Sequence, residues 1–524
     1  MNGLDRRTFL TRTGLGTGAL ILGGVPLGAG AANKRGSIPF ATGGKFPEGV
    51  MAGEPATRSA TLWTRLSGLK ADRRLTLEIA RDADFTSVVL RRDLVARVSE
   101  GGAVKVRVPE RAKLKPGERY WYRFATRSRS SPVGRFQTLR PPDSREPVRV
   151  AFYSCQDWQA GYYGAHRTIA EDDSLDFVVC LGDYIYEKNY YEGPRQDRLG
   201  ANGDGEVETR PEYRQKYALY RSDADLRAMH AAHAFIPIFD DHEVEDNWAA
   251  DKGGDQTENR RVPYEQRRFN GLRTFFESMP VRRPERGAYR IYKSIPLGAN
   301  AELFLLDQRQ YRDDQPCNDT FVIPCPEAET QPRKYLGDAQ KEWFKRGLES
   351  SRAAWKLVAN QAMIMALENG PDSPSNKDQW DGYGVERREI LEHVQSRGIQ
   401  DVAFLTGDIH TFFAGEVGTD GRGPESVATE FVGGSISSLG IPESVESVSG
   451  APADLVFQAS QNYRTINPHL KYDDQKRRGY GVAEASAGEL RVEFRPVNAL
   501  ARTTTYEPPA RFRVARGNPR VELL

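Results

Sequence analysis

Residues 177–187 read FVVCLGDYIYE: a short apolar run, then Gly182 and Asp183, then Tyr186 two positions after Tyr184. A run of this length bounded by a glycine predicts a buried β-strand, and the residues just past its end are of metal-ligand type. The same pattern recurs along the chain. VRVAFYSC (148–155) ends at Cys155 with Asp157 close behind, and AFIPIFDDHE (234–243) ends in Asp240, Asp241 and His242. AELFLLDQR (301–309) ends at Asp307, WKLVANQAMI (355–364) carries Asn360, and DVAFLTGDIH (401–410) ends in Asp408 and His410. Helical patterns such as PEYRQKYALYRSDADLRAMHAAH (211–233) and GVERREILEHVQSRG (384–398) separate several of these strands. Together they predict an α/β domain whose strand ends line one crevice.

Upstream the rhythm differs. RLTLEIA (74–80), VKVRVP (104–109) and YWYRF (120–124) alternate apolar and polar residues, and LKPGERY (114–120) sets Leu114 and a Pro-Gly turn before Tyr120 as at a tyrosine corner. A small antiparallel sandwich is predicted over 33–140, with LRPPDSREP (139–147) as a linker into a catalytic domain over 141–524.

The first 32 residues read as an export leader. Arg6 and Arg7 precede Phe9, Leu10 and a glycine-rich apolar stretch that ends in small residues, the arrangement of a twin-arginine signal. No later run reaches the length of a membrane span. With 74 basic and 72 acidic residues, the formal charge of +2 leaves no basic stripe for nucleic acid. Seven histidines against 72 acidic residues point any metal site towards oxygen ligands and hard cations.

Four cysteines remain to be assigned. Cys317 and Cys325 flank the polar loop CNDTFVIPC and form a plausible local disulfide in an exported protein. Cys180 reads as an inert core residue. Cys155 is compatible with a half-cystine, a core thiol, a nucleophile or a metal ligand. Singly, an aspartate after a strand is more often a turn former than a ligand. Jointly, uncompensated carboxylates in one crevice would repel each other and raise one another's pKa, a conflict that bound cations resolve. Two or three such ions make a phosphoryl-transfer site.

These motifs resemble those of metallophosphoesterases of the purple acid phosphatase type: GDYIYE matches their Gly-Asp-x-x-Tyr segment, DDHEVEDNW their Asn-His-Glu segment with Asp241 at the asparagine position, and LTGDIH their closing His-x-His with Asp408 at the first histidine. With SCQDWQ in place of Asp-x-His, the whole is similar to the alkaline phosphatase D (PhoD-like) family over residues 45 to 515. The resemblance implies a calcineurin-like fold, a central β-sandwich flanked by helices, behind a fibronectin- or Ig-like β-sandwich. It implies ferric iron on Cys155, Asp183 and Tyr186, with Asp408 and His410 facing the cluster. Two calcium ions would be reached by Asp241 and Asn360, and Asp183 would bridge; a zinc pair is the alternative. His242 is expected to contact phosphate or protonate the leaving oxygen. Arg309 is expected to clamp phosphate, or else to pair with Asp307 or Asp313.

The expected function is hydrolysis of phosphate mono- or diesters through attack by a metal-bound oxide or hydroxide, in a periplasmic or extracellular enzyme delivered by the twin-arginine machinery. A phospholipase D-like phosphodiesterase and a non-catalytic calcium-binding envelope protein are the alternatives. The insertions at 188–210 and 368–380 are expected to rim the crevice, and the segment after Thr505 to cover part of it.

Overall fold

The computed structural model describes residues 38–524 except 255–259, 284–288, 320–323, 371–372, 424, 451, 456–462, 503 and 505–506. The leader expected over 1–32 lies outside the described residues. The six strands that carry ligand-type ends divide between two sheets rather than forming one. Val148–Tyr153, Phe177–Cys180 and Ala234–Pro237 are parallel neighbours in a ten-stranded sheet. Ala301–Leu305, Trp355–Asn360 and Val402–Thr406 are parallel neighbours in a seven-stranded sheet.

These runs are apolar because parallel strands covered on both faces have no solvent side. Phe177–Cys180 and Ala234–Pro237 are buried at every position. The inner faces of the two sheets share one core in which Phe152, Val179, Leu305, Ala359, Leu405 and Phe431 take part. The outer face of the seven-stranded sheet packs under the helices Asp338–Ser350 and Gly384–Ser396 through a second core that includes Phe304, Phe344, Val358 and Ile390. A β-sandwich flanked by helices is thus the observed fold.

The predicted helical stretch 211–233 is two helices, Arg210–Tyr220 and Ala224–Ala232. Asp223 breaks it: its carboxylate accepts from the amides of Asp225 and Leu226, an N-cap that starts a new helix.

Ahead of these sheets, Val88–Ala96, Arg73–Ala80, Arg119–Ala125 and Gly134–Gln137 form a four-stranded antiparallel sheet that shares a core with Val50–Ala56, Ser59–Arg65 and Ala103–Arg107. Tyr122 and Phe124 point into it, and the Tyr120 hydroxyl accepts from the amide of Lys115 at 2.8 Å, closing the tyrosine corner. Val50–Ala56 also pairs in parallel with Ala234–Pro237, so a layer of the N-terminal sandwich continues directly into the ten-stranded sheet. Pro39–Leu524 is accordingly one unit.

The end of the chain corrects an expectation. Ala510–Ala515 and Glu522–Leu523 do not cover the crevice but extend the ten-stranded sheet at its edge, because Phe512 and Val514 alternate inward and bury against it. No helix among the described residues is long and apolar enough to cross a membrane.

Candidate metal centre

The turns after Tyr153, Cys180 and Thr406 hold Cys155, Asp183, Asp408 and His410 in left-handed backbone conformations, with φ of 59°, 52°, 65° and 55°. Such conformations are uncommon away from glycine and persist only where the surroundings impose them. Here the turns are laced together. Cys155 donates its amide to Gly182 O and Gln156 donates to Asp183 O. The Glu243 carboxylate accepts from the amides of Asp183, Tyr184 and Asp240 at 3.2, 2.8 and 2.9 Å. Gly182, at φ 123°, is required there, since a Cβ would stand 2.4 Å from Asp240 Cβ.

The side chains form a continuous run of donors. Ligand atoms of Cys155, Asp183 and His410 lie within 4.8 Å of one another, as do those of Asp183, Asp241 and His242, and those of Asp240, Asp241 and Asp408. Asp183 therefore links a sulfur- and nitrogen-bearing end to a purely carboxylate end. Its Oδ2 is 3.3 Å from Cys155 Sγ and 3.4 Å from the Tyr186 hydroxyl. That hydroxyl is 3.0 Å from His410 Nε2 and accepts from Ser438 Oγ at 2.9 Å. Because His410 Nδ1 faces Leu439 O at 2.7 Å, a carbonyl that can only accept, Nδ1 carries the proton and Nε2 offers its lone pair.

Two buried carboxylate oxygens in this run, Asp183 Oδ1 and Asp241 Oδ1, have no hydrogen-bond partner. The nearest cation to the latter is Arg309 Nη2, at 3.5 Å. Burial, with Asp241 and Asp240 close by, pushes the Asp183 carboxyl well above the usual range against the pull of His242. Burial, Asp183 and Asp408 likewise push up the Cys155 thiol, and burial, Cys155 and Asp183 push up the Tyr186 phenol. A thiol, a phenol and the Asp183 carboxyl that hold their protons only in the absence of a metal cation, with an imidazole lone pair and the Asp241 carboxylate kept ionised, despite its burial, by Arg309 and His242, are a donor set that fits metal ions. The mixed end suits a transition metal and the carboxylate end a hard cation.

His242 is held differently. Nδ1 lies 2.8 Å from Glu187 Oε2, and the ring stacks on Tyr186 with centroids 4.1 Å apart. Burial opposes its cation, but Asp241, Glu187 and Asp183 outweigh that and raise its pKa well above the ordinary histidine value.

Two expectations are corrected. Asn360 faces no cluster: its Oδ1 accepts from Gln308 and Trp380, and its Nδ2 donates to Ala362 O and Thr406, so its polar groups are spent between strands. Arg309 is fully buried, with Nε on Asp240, Nη1 on Asp378 at 2.9 Å and Nη2 3.3 Å from Asp408. It holds the carboxylates instead of reaching out for phosphate, and its partners are not Asp307 or Asp313.

Other residues escaped the sequence. Gln361, next to the misassigned Asn360, donates its side-chain amide to Phe239 O at 3.0 Å and Leu306 O at 2.8 Å, while its main-chain carbonyl accepts from the amide of Gly407. It thereby ties together the strand ends that present Asp240, Asp307 and Asp408. Gln379 donates to Asp408, and Asp378 takes Arg309, Arg312 and Gln315, so part of the second insertion is buried beneath the carboxylates and not at the rim. Tyr190, from the first insertion, does face His242, with centroids 4.9 Å apart. Cys317 and Cys325 are bridged, and Cys180 is a buried free thiol.

Known proteins share this architecture. Residues 150–494 match the model of the PhoD-like phosphatase family, and residues 33–140 match that of the PhoD-like phosphatase N-terminal domain. Alkaline phosphatase D of Bacillus subtilis (strain 168) is 32% identical over 519 residues, which span 94% of this chain and 84% of that protein. A solved structure described as "Structure of PhoD" superposes with a TM-score of 0.81 at 29% identity, covering 92% of this chain and 93% of its own. A purple acid phosphatase from yellow lupin (Lupinus luteus) seeds superposes with a TM-score of 0.53 at 11% identity, over 89% of this chain and 74% of its own, a likeness of fold alone.

Proposed function

The chain belongs to the PhoD-like phosphatase family and is a metal-dependent phosphoric ester hydrolase, and we propose that its crevice works with ferric iron and calcium. Cys155, Asp183, Tyr186 and His410 would hold the iron, since thiolate and phenolate with one imidazole suit a ferric ion better than a zinc pair. Asp241 and Asp408, with Asp240 beside them, would hold calcium, and Asp183 would be shared. The two unpartnered oxygens on Asp183 and Asp241 are the observation that carries this reading. Such ions supply charge against the phosphoryl oxygens and a water acidic enough to attack phosphorus.

The chain's own residues do the rest. Glu187 fixes the His242 ring through Nδ1, and the surrounding carboxylates keep that ring cationic, so His242 can give its proton to the departing alkoxide. Arg309 and Gln361 keep the aspartates at their spacing. A metal-ligand role for Cys155 is favoured over a nucleophilic one, because the thiol is fully buried and hydrogen-bonds Ser154 Oγ and Asp183, while the nearby His410 turns its Nε2 to the Tyr186 hydroxyl.

Residues 1–32 are taken as a twin-arginine leader to a periplasmic or extracellular location, with domains at 33–140 and 141–524. The Cys317–Cys325 bridge supports an oxidising destination. Export should fail, with protein accumulating in the cytoplasm, when Arg6 and Arg7 are both replaced by lysine.

Monoesters and diesters both fall within the proposal. The test is hydrolysis of p-nitrophenyl phosphate beside bis-p-nitrophenyl phosphate, before and after a calcium chelator. Turnover abolished by the chelator and restored by calcium is expected, and the ratio of rates ranks the two substrates. Undiminished turnover after calcium removal would overturn the calcium assignment.

A further inference from the structure

The N-terminal sandwich holds a second concentration of like charge, of opposite sign. A cleft of about 650 Å³ lies between Val88–Ala96, Ala103–Arg107 and the end of the helix Tyr264–Ser278. Both strands are sheet edges. Seven arginine and lysine side chains line the cleft against three carboxylates, an excess of four in a chain of formal charge +2.

Those carboxylates are already neutralised, mostly by arginines outside the lining. Glu277 takes Arg65, Arg210 and Arg214 at 3.1, 2.6 and 2.7 Å, Glu100 takes Arg210 at 3.1 Å, and Asp93 has Arg74 at 3.7 Å. The cations are matched only in part: Arg97 pairs with Asp72 at 3.1 Å, Arg282 with Glu54 at 3.3 Å and Arg273 with Glu100 at 3.7 Å. Lys105 Nζ donates to the carbonyls of Val281 at 2.6 Å, Met279 at 3.3 Å and Phe276, and Arg107 donates to Glu54 O. Arg92 and Arg283 have no ion-pair partner among the described residues. Arg283 lies over the ring of Tyr289, at 4.5 Å.

Crowded cations are as unfavourable as crowded carboxylates, and a multivalent anion relieves them. Guanidinium forks match the tetrahedral oxygens of phosphate, and a cleft of this volume that holds two of them without an ion-pair partner among the described residues, beside Lys105 and Arg107, suits more than one phosphate at a time. We propose that this cleft is a non-catalytic anion site that binds a run of closely spaced phosphates, the chemistry shared by a free inorganic oligophosphate and a phosphate-linked polymer. The proposal rests on charge between the N-terminal strands and the end of the helix Tyr264–Ser278 and stands apart from the assignment of the crevice metals.

The test is calorimetric titration of the metal-loaded protein with two probes, sodium tripolyphosphate and a base-free sugar–phosphate oligomer. Wild type is compared with the double variant Arg92→Ser/Arg283→Ser, whose positions are solvent-accessible and outside the crevice. Binding to wild type that weakens with salt, and is about tenfold weaker in the variant, is expected, with turnover of p-nitrophenyl phosphate unchanged. A loss confined to tripolyphosphate identifies the free oligophosphate, and a loss with the oligomer identifies the linked chain. Arg92→Lys/Arg283→Lys, which keeps charge but not the fork, should lose only part of the affinity. Absence of binding to wild type, or equal affinity in wild type and the serine variant for both probes, would overturn the proposal.

Discussion

The acidic crevice and the basic cleft concentrate like charges by different means. In the crevice, Asp183, Asp240 and Asp241 are buried and Asp408 is mostly so, Asp183 and Asp408 are fixed by left-handed turns, Arg309 crosses the set, and two of the carboxylate oxygens are left without partners. In the cleft, the cations come from two edge strands, the helix Tyr264–Ser278 and the segments beside them, with Arg283 open to solvent, Arg92 partly so and Lys105 largely buried, and the neighbouring carboxylates are mostly taken from behind. Burial separates them. A desolvated carboxylate cluster calls for tightly held ions, whereas a solvated cationic cleft gives weaker, salt-sensitive binding.

The largest effect expected from breaking the contrast is at its most buried point. Asp183→Asn removes the link between the two ends of the crevice and should lower kcat by about a thousandfold, as loss of several kcal/mol of transition-state stabilisation implies. Steady-state kinetics would check this, with circular dichroism showing both sheets intact. The two buried free cysteines offer a comparison within the same sheet. Cys155→Ala should abolish the visible absorption of a ferric thiolate and phenolate centre together with most activity, whereas Cys180→Ala should leave colour and rate intact and cost only about 1 kcal/mol of stability. Absorption spectra and chemical denaturation of the pair decide it.

A smaller loss is expected at Gln361, which touches backbone rather than ligand. Gln361→Leu should reduce kcat by about ten- to a hundredfold and lower metal content while KM moves little. Equal losses in kcat and thermal stability at full metal content would instead make it a packing residue. The smallest effect lies in the cleft. Burial lowers the Lys105 pKa from 10.5 to about 8, against the pull of Glu54 and Glu277. Between those values the unfolded chain binds the proton more strongly, so this lysine's destabilising contribution is full below pH 8 and fades as pH rises towards 10.5. Melting temperatures across that window should rise less steeply with pH in Lys105→Met than in wild type.

Much of this was legible in the sequence for a simple reason. Strands buried on both faces are runs of apolar residues, and the chemistry begins where the run stops, so Cys155, Asp183, Asp241, Asp408 and His410 could be found by position alone. The alternation of Tyr120, Tyr122 and Phe124 likewise disclosed the sandwich. What failed depended on direction in space. Asn360 and Gln361 are adjacent, and the pattern could not tell which of their amides is spent between neighbouring strands and which ties the strand ends at 239 and 306. Arg309 follows a strand end as a phosphate clamp would, yet the carboxylates that claim it come from 240, 378 and 408, and local sequence holds no trace of that convergence. The division of the six strands between two sheets was invisible for the same reason, since register and pairing are long-range facts. The cleft also escaped, because its cations are scattered from 92 to 283 and the net charge of +2 conceals them.

The most direct test of the account is elemental analysis of the protein purified with its own metals. One iron per chain together with calcium, and the iron lost in Cys155→Ala, is the predicted result. A fully active protein that carries zinc and neither iron nor calcium would contradict it.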